Sequence, residues 1–589
     1  MCGIAGYISN KSLLNDNCIN STLELMKNRG PDNRSYIEKK YDNKNLALLH
    51  SRLNIIDLDK RSNQPFYDNG LHLVFNGEIY NYIELRNTLK KKYNFKTNSD
   101  TEVLLKAYQE YGSKCVDHFI GMWAFAIWDE KKKILFLSRD RFGEKPLYYY
   151  YDKDGFLFGS EVKFIKSLSK KKFNLNKKQI NKNLFLGYRS LAKTNESFYE
   201  NIFSLENSTN MFVDLKLSKN KTKYWKVGLN INQNINAKEA SENIKDLLTK
   251  SIKLRMRSDV PLAFCLSGGI DSCLLASHAK KILKNEISTF SIIDNDSRYD
   301  ETEEINIITD ELKCNSHKIA LKNKKNDFFE NLERLTNYHD GPIATITYYI
   351  HSFLAENISK NNFKVSISGS GADEIFTGYY NHFLLHLASI KDSPYFKNSL
   401  EDWKKYIKPI VRNPILKDYN LYINDPNNKD ATYDSNFNLL KYSVNYSEEK
   451  VPDKKFTNEI LRNKLLNELF HEVVPIILKH DDLNSMYYSV ENRSPYLDQS
   501  LLEYSMTLPP NLLISDGFQK KVLRDSAKNI LNDKIRLNKV KKGFNASITS
   551  LVDFSKKESI DRIFNNKLPI GEYIDLEKLK NDINFENVP

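Results

Sequence analysis

The sequence predicts two domains of different fold class, an α+β sandwich of antiparallel sheets followed by an α/β domain built on a parallel sheet. In residues 1–215, short apolar strands and turns outnumber helical patterns, which is typical of packed antiparallel sheets with flanking helices. In residues 237–589, apolar strands first alternate with helices, and this order predicts a parallel sheet covered on both faces. Beyond about Tyr379 the patterns are mostly helical. The polar, Lys- and Asn-rich segment 216–236 is predicted to be a linker.

Hydrophobic periodicity places the individual elements along the chain. In the first domain the patterns predict strands at 71–75, 122–128, 134–137 and 147–151, and helices at 20–27, 83–91 and 101–111. In the second domain they predict strands at 261–266, 287–293, 317–321 and 364–368, and helices at 237–257, 272–283 and 302–312.

Composition limits the function classes. The 589 residues are 40% hydrophobic and 28% charged, as in ordinary globular proteins, and contain no run of about 18 apolar residues, so no transmembrane helix is expected. The first six residues lack the pattern of a secretory signal, and a cytoplasmic enzyme is expected. Although the formal net charge is +13, the lysines are scattered along the chain, so we expect no nucleic-acid or membrane partner. The oligomeric state stays open, with a homodimer among the options.

The six cysteines form no CxxC pair, and a chain of this size does not need disulfides for stability. Cys2 is different because it becomes the first residue once Met1 is removed. Its α-amino group, with an ordinary pKa of about 8, can then take the thiol proton and supply a nucleophile and a base within one residue. A chance cysteine at position two is the better interpretation of this feature alone, and the surrounding motifs decide against it.

Those motifs run in order across most of residues 1–165 and resemble class II glutamine amidotransferases, especially the asparagine synthetase B family. They are Met1 to Gly6, Arg29-Gly30-Pro31-Asp32, His50-Ser51-Arg52-Leu53, Asn76-Gly77-Glu78-Ile79-Tyr80-Asn81, Ser99-Asp100-Thr101-Glu102 and Arg139 to Tyr149. The resemblance implies that the antiparallel sandwich is an N-terminal-nucleophile fold that releases ammonia from glutamine.

The chemistry of glutamine hydrolysis gives these residues roles. Cys2 would attack the side-chain amide and form a thioester. The Asn76 side chain and the Gly77 backbone N–H would stabilise the oxyanion. Arg52 offers a planar, always-charged fork for the α-carboxylate, and Asp100 and Glu78 are candidates for the α-ammonium.

In the second domain, Ser267-Gly268-Gly269-Ile270-Asp271-Ser272 follows an apolar strand and opens a helix. It lacks the GK[ST] ending of a Walker A loop, but its glycines let backbone N–H groups approach phosphates at a helix N-terminus. The string matches the pyrophosphate loop of ATP pyrophosphatases, which implies ATP binding by Ser267, Gly268, Gly269, Asp271 and Ser272. Asp271 would hold Mg²⁺.

A second loop, Ser368 to Glu374, follows the strand pattern at 363–367 and resembles another loop of the same family. Ser368 and Gly369 would bind ATP, and Asp373 with Glu374 would hold Mg²⁺ or pyrophosphate. The backbone of Leu266 and Ile292 would receive the adenine. Lys520 matches the family's lysine at the adenylate, although Lys521 is adjacent.

Two departures from the family pattern concern the acceptor, the carboxylate that receives the ammonia. Ser370 stands where asparagine synthetases usually carry a glutamate, and residues 339–347 lack an Arg for an amino-acid carboxylate.

The leading hypothesis is a glutamine-hydrolysing asparagine synthase that adenylates aspartate with release of pyrophosphate, and its alternative is amidation of another carboxylate, such as a uronic acid of a surface polysaccharide. A glutaminase without ATP chemistry and a nucleic-acid-binding module are weaker hypotheses from other classes. The partners expected are small molecules: glutamine, the carboxylate and ATP.

Overall fold

The computed structural model describes residues 2–10, 17–41, 43–169, 171–294, 296–321, 328–428, 439–446, 451–543, 546–565 and 568–583. Met1, whose removal was predicted above, lies outside this range. All statements about the structure below concern the described residues.

The first domain contains twelve strands and five α-helices within the described residues. The strands are β1 (Gly3–Asn10), β2 (Asn33–Tyr41), β3 (Lys44–Arg52), β4 (Phe66–Asp68), β5 (Leu71–Ile79), β6 (Gly121–Asp129), β7 (Ile134–Arg139), β8 (Tyr148–Tyr151), β9 (Gly155–Gly159), β10 (Ile202–Ser204), β11 (Thr209–Asp214) and β12 (Lys219–Lys223). The helices are α1 (Cys18–Leu25), α2 (Tyr82–Leu89), α3 (Asp100–Tyr111), α4 (Val162–Leu168) and α5 (Lys177–Phe185).

These strands form two antiparallel sheets that pack face to face. One sheet has the order β10-β8-β9-β1-β3-β2 and the other β12-β11-β7-β6-β5-β4. Side chains such as Ile4, Ile8, Val74 and Ala126 fill the space between them. Helices α1 and α4 cover the outer face of the first sheet, and α2 and α3 cover the second. The predicted sandwich of antiparallel sheets with flanking helices is confirmed.

The burial of each strand follows from its layer. Strand β6 lies between the other sheet and the helices, so eight of its nine residues are buried and its sequence is almost wholly apolar. Edge strand β2 alternates between exposed and half-buried residues, as expected for a strand beside solvent. Strand β12 pairs with β11 and lies inside the segment 216–236, so part of the predicted linker extends the second sheet.

The second domain contains five strands within the described residues, β13 (Leu262–Cys265), β14 (Ser288–Ile293), β15 (Asn315–Ala320), β16 (Val365–Ile367) and β17 (Glu491–Arg493). They form one parallel sheet with the order β15-β14-β13-β16-β17. The helices that precede β17 are α6 (Ala237–Arg255), α7 (Ile270–Ser277), α8 (Thr302–Leu312), α9 (Phe328–His339), α10 (Ile346–Lys360), α11 (Ala372–Phe376), α12 (Tyr380–Ser389), α13 (Phe396–Asp402), α14 (Leu421–Asn424), α15 (Ile460–Asn467) and α16 (Val474–Tyr487).

After β17 the described chain is helical, with α17 (Gln499–Thr507), α18 (Pro510–Leu513), α19 (Lys521–Ser526), α20 (Asp533–Arg536), α21 (Lys557–Ile563) and α22 (Leu576–Asp582). The predicted parallel sheet and the mostly helical C-terminal part are confirmed. Among the described helices, none combines the length and the apolar character needed to cross a bilayer.

The parallel order positions the functional loops. Because β13 and β16 are neighbours in register, Phe264 lies opposite Ile367, and both strands end at the same edge of the sheet. The loops that follow them therefore emerge side by side, at the edge where ligands bind in open α/β sheets.

Candidate active sites

Cys2 lies at the start of β1, beside the end of β3. The register pairs Gly3 with Ser51, which brings Cys2 next to Arg52. The Cys2 backbone N–H donates to Asn76 Oδ1 at 3.1 Å, and Arg29 Nε donates to the Cys2 carbonyl at 3.0 Å. Burial raises the pKa of the Cys2 thiol, while a hydrogen bond from the Leu53 backbone and the charge of Arg52 act in the opposite direction. Burial outweighs the effects of Leu53 and Arg52, so the surroundings favour the neutral thiol and a base has to take its proton before attack.

Asn76 and Gly77 on β5 lie beside Cys2. The Asn76 side chain is fully buried, and its Nδ2 has no hydrogen-bond partner among the described residues. Gly77 has a φ of +149°, and a Cβ at this position would lie 2.1 Å from the Met122 carbonyl oxygen. The position therefore requires glycine. A buried donor without a partner is costly to keep, so its presence beside a thiol is the arrangement expected of an oxyanion hole.

The Arg52 guanidinium is held in one orientation by the turn that follows β3. Its Nη1 donates to the Asp59 carbonyl at 2.9 Å and to Asn63 Oδ1 at 2.8 Å, and its Nη2 donates to the Asp57 carbonyl. None of these three partners is a carboxylate oxygen. The positive charge of Arg52 is therefore stabilised by carbonyl and amide dipoles, and no bound anion among these partners neutralises it. Such a group can accept an anionic ligand.

Glu78 and Asp100 belong to a buried cluster of charges. Asp100 Oδ2 accepts the Ile79 N–H at 2.9 Å, and burial raises the pKa of Asp100 to about 6. Burial, together with the charges of Glu491 and Asp100, raises the pKa of Glu78 well above its ordinary value. Arg493 Nη2 lies 3.5 Å from Glu78 Oε1. Three carboxyl groups share one guanidinium, so a cationic ligand would be stabilised here.

The loop Ser267 to Ser272 connects β13 to α7. Ser267 Oγ lies 2.9 Å from Ser272 Oγ and accepts the Gly269 N–H at 3.2 Å. The Gly268 N–H donates to Glu301 Oε2 at 3.2 Å, so a carboxylate already occupies one donor of the loop. Burial raises the pKa of Glu301 to about 7. The N–H groups of Ser267, Gly268 and Gly269 are thus bound to side-chain oxygens, and an anion at this helix N-terminus would have to replace those acceptors.

Lys520 lies where the two loops meet. Its buried ammonium is 2.6 Å from the Asp271 carboxylate and 2.5 Å from that of Asp373. Lys541 also contacts Asp373, at 2.5 Å, and these two cations hold the pKa of Asp373 below its ordinary value against the effect of burial. Lys521 instead pairs with Asp525 at 2.8 Å on the outer side of α19. The geometry therefore selects Lys520 over Lys521 as the lysine at this site.

The second loop is anchored to β17 and contacts the first. The Ser368 N–H donates to the Arg493 carbonyl at 2.9 Å, and a Cβ on Gly369 would lie 3.1 Å from Asp271 Cβ. Glu374 accepts a hydrogen bond from the Tyr379 hydroxyl at 2.5 Å, and burial together with Asp373 raises its pKa to about 8. Of the predicted acidic pair, Asp373 is thus the ionised member at neutral pH.

The two loops line a cavity of about 660 Å³. Ser267 to Ser272, Leu266, Ser368, Gly369, Asp373, Glu374 and Lys520 all contribute to its wall. Ile292 does not, because its position near the end of β14 places it in the ladder with β15. Sequence reasoning did not single out other wall residues, among them Tyr188, Glu304, His351, Asp481 and Lys541.

Part of the segment predicted to meet the acceptor lines this cavity. Its residues Thr345, Ile346 and Thr347 contribute to the wall, as does Ser370. The Ser370 hydroxyl is 3.4 Å from Asp481 Oδ2, and His351 Nδ1 is 3.0 Å from Asp481 Oδ1. His351 and Asp481 lie on two helices, 130 residues apart in the chain, and no local motif marks either of them.

Arg29 connects the two sites through the interior of the protein. Besides the Cys2 carbonyl, its fully buried guanidinium binds Glu161 at 2.9 Å and Asp482 at 2.7 and 3.1 Å. Asp482 follows Asp481 on α16, so adjacent residues of one helix contact the Cys2 site and the cavity.

Comparison with known proteins agrees with this two-site architecture. Residues 1–225 match the family model described as glutamine amidotransferase domain, and residues 243–584 match the model described as asparagine synthase.

Three proteins illustrate the relatives whose sequences are similar to this chain. The Methanocaldococcus jannaschii protein provisionally named asparagine synthetase [glutamine-hydrolyzing] 2 is 36% identical over 65% of this chain and 76% of its own. Asparagine synthetase [glutamine-hydrolyzing] 3 of Bacillus subtilis is 29% identical over 92% of this chain and 86% of its own. Amidase chry2 of Gibberella zeae is 26% identical over 91% and 87%. This chain belongs to the asparagine synthetase family of glutamine-hydrolysing amidotransferases.

Proposed function

We propose that this protein is a glutamine-hydrolysing asparagine synthase that converts aspartate, glutamine and ATP into asparagine, glutamate, AMP and pyrophosphate. The observation that carries the proposal is the junction of the two loops, where Lys520 lies between the Asp271 and Asp373 carboxylates, beside the Ser267–Ser272 loop that opens helix α7. This arrangement suits a triphosphate whose α-phosphorus is attacked by a carboxylate.

In the glutaminase half, Cys2 attacks the side-chain amide of glutamine and ammonia leaves. The unpartnered Asn76 Nδ2 and the Gly77 N–H stabilise the oxyanion, which forms beside the thiol. Arg52 binds the α-carboxylate, and Asp100 with Glu78 binds the α-ammonium. Water then hydrolyses the thioester to glutamate.

In the synthetase half, the aspartate side-chain carboxylate attacks the α-phosphate of ATP and pyrophosphate leaves. Ser267, Gly268, Gly269, Ser272, Ser368 and Gly369 bind phosphate oxygens, and Leu266 lies at the adenine end. Lys520 stabilises the charge that develops on the phosphates. Ammonia then attacks the acyl carbon of the β-aspartyl adenylate, and AMP leaves.

Mg²⁺ fits the same junction, because Asp271 and Asp373 present carboxylate oxygens within reach of one ammonium ion, and this cation uses one or two carboxylates together with phosphate oxygens. When bound, it would neutralise phosphate charge and orient the triphosphate. Within the described residues, no group of three or more His, Cys, Asp or Glu side chains is arranged for a metal, so phosphate would have to complete the site. Glu374 contributes less, because it is protonated near neutral pH and bound to Tyr379.

A second candidate is the same chemistry on another carboxylate. Ser370 and the neutral wall residues Thr345, Ile346 and Thr347 favour it, since none of them offers a cation to the α-carboxylate of aspartate. The relative named an amidase is consistent with a varied product within the family.

Incubation with aspartate, glutamine and Mg-ATP separates the two candidates. Stoichiometric asparagine, AMP and pyrophosphate would support the proposal. Glutamate release without asparagine or AMP, from a protein that hydrolyses glutamine normally, would reject aspartate as the acceptor.

A further inference from the structure

The attack of ammonia on an acyl adenylate needs a proton acceptor near the acyl carbon. As the N–C bond forms, the nitrogen acquires a positive charge; it loses one N–H proton, and the C–O bond to phosphate breaks so that AMP departs with the electron pair. General-base help in such a step is typically worth about 10²–10⁴-fold in rate. Ser370 in the wall of the cavity carries a hydroxyl, which is a poor base near neutral pH.

Six carboxyl groups line the cavity among the described residues, and three of them pair with lysines. Asp271 and Asp373 bind Lys520, and Glu304 binds Lys542 at 3.0 Å. Glu301 accepts the Gly268 N–H and Glu374 accepts the Tyr379 hydroxyl, and burial raises the pKa of Glu301 to about 7 and that of Glu374 to about 8. The sixth is Asp481, whose hydrogen-bond partners are His351 and Ser370 and which forms no ion pair with Lys or Arg within the described residues.

We infer that Asp481, oriented by His351, accepts the proton that the attacking ammonia loses. This inference rests on the proposed adenylate-forming function. His351 Nδ1–H donates to Asp481 Oδ1 at 3.0 Å and fixes the plane of the carboxylate. The Ser370 hydroxyl reaches Oδ2 only at 3.4 Å, so lone pairs of this oxygen stay available on the cavity side. Asp481 is thus a catalytic residue, and His351 is a positioning residue.

The place of Asp481 in the fold supports this role. The next residue, Asp482, makes a two-point contact with Arg29, and Arg29 in turn binds the Cys2 carbonyl. This turn of α16 therefore joins the site that releases ammonia to the cavity that consumes it. The titratable groups around Asp481 include Tyr348 on α10, Cys265 on β13, and His480 and Asp482 on its own helix, which are neutral or acidic near pH 7, whereas Lys479 on that helix lies over the Phe198 ring at a second cavity. None of these groups forms an ion pair that would neutralise Asp481.

The structure also explains how the position before Gly371 can be a serine. A hydroxyl 3.4 Å from Asp481 occupies space that a longer acidic side chain at position 370 would share. A carboxylate at position 370 and a carboxylate at position 481 would then lie in the same region of the cavity. One of them is enough to accept the proton.

The test compares two steps in the full-length protein with ammonium chloride as the nitrogen source. Aspartate-dependent ATP–pyrophosphate exchange reports adenylation, and asparagine release reports aminolysis. In Asp481→Asn, aminolysis should fall about 10²–10⁴-fold relative to exchange. Asp481→Glu should retain part of the rate, and His351→Gln should lower aminolysis by a smaller factor. Asp481→Asn/Ser370→Glu should recover aminolysis, which a purely structural role of Asp481 would not predict.

Aminolysis in Asp481→Asn within about threefold of wild type would overturn the inference while leaving the proposed function intact. If Asp481→Asn does not fold, normal aminolysis in both His351→Gln and Asp481→Ser would overturn it, because Asp481→Ser lacks the carboxylate. Absence of aspartate-dependent exchange in the wild-type protein would instead reject the proposed function, and the inference with it.

Discussion

Replacement of Asn76 by alanine tests the glutaminase geometry. The change removes Nδ2, the buried donor that has no partner in the resting protein, and Oδ1, which accepts the Cys2 N–H at 3.1 Å. Loss of one oxyanion-hole donor typically raises the barrier by about 2.7–4 kcal/mol, which corresponds to a fall of about 10²–10³-fold in kcat. The glutamine KM should change little, because Arg52, Glu78 and Asp100 remain.

The folded state should tolerate this change. Removing a buried donor without a partner relieves a cost of about 1–3 kcal/mol, whereas losing Oδ1 leaves the buried Cys2 N–H without its acceptor and costs about 1–3 kcal/mol. We therefore expect the two effects on the free energy of unfolding largely to offset each other. A large loss of glutaminase activity with little change in stability would separate a chemical role from a structural one.

The assay measures glutamate release with saturating glutamine, and thermal unfolding in parallel. Asn210→Ala is the matched control, because Asn210 is also buried with an unpartnered side-chain oxygen but lies on β11. It should leave glutamine hydrolysis unchanged. An Asn76→Ala protein that hydrolyses glutamine within tenfold of wild type would refute the assignment of Asn76 as the oxyanion donor.

Three further predictions concern the nucleophile Cys2, the phosphate loop at Asp271 and the pH dependence set by Asp100. Cys2→Ala should abolish glutamine hydrolysis and keep ammonia-dependent synthesis, and glutamate release by this variant would contradict the nucleophile assignment. Asp271→Asn removes a charge beside Lys520 and the phosphates, so AMP release should collapse while basal glutamine hydrolysis persists; near-normal AMP release would show that the loop does not bind pyrophosphate. Because burial raises the pKa of Asp100 to about 6, protonation should remove its charge as the pH falls through that value; kcat/KM for glutamine should then decline, whereas Asp100→Asn should lack this decline.

The glutaminase residues were predictable because each lies in a short motif. Asn76, Gly77 and Glu78 are consecutive, and Cys2, Arg52 and Asp100 lie in motifs that occur in the same order as in the family. The sequence also predicted both fold classes, since alternation in β2 and continuous apolar runs in β6 follow from the layers in which those strands lie. The extension of the second sheet by β12 was not predicted, because its polar sequence lacks the pattern of a half-buried strand.

The cavity residues were partly predictable for the same reason. The loop Ser267 to Ser272 is recognisable from its glycines and serines. Its position at the carboxyl edge of the sheet follows from the alternation of strands and helices, which predicts a parallel sheet. Lys520 and Lys521 are indistinguishable in the sequence, because two adjacent lysines have the same chemistry. Only the backbone at the start of α19, with Lys520 at a φ of +53°, directs one ammonium to the loops and the other to Asp525.

Motifs of consecutive residues thus predicted the two proposed reactions, because an oxyanion hole and a phosphate loop draw several of their donors from one short stretch of chain. The tertiary structure decided which distant side chains complete each site. His351 meets Asp481 across 130 residues, and Arg29 meets Asp482 across 453. Such pairs depend on how helices α10 and α16 and the first domain pack, and packing over that separation leaves no periodic or local pattern in the sequence.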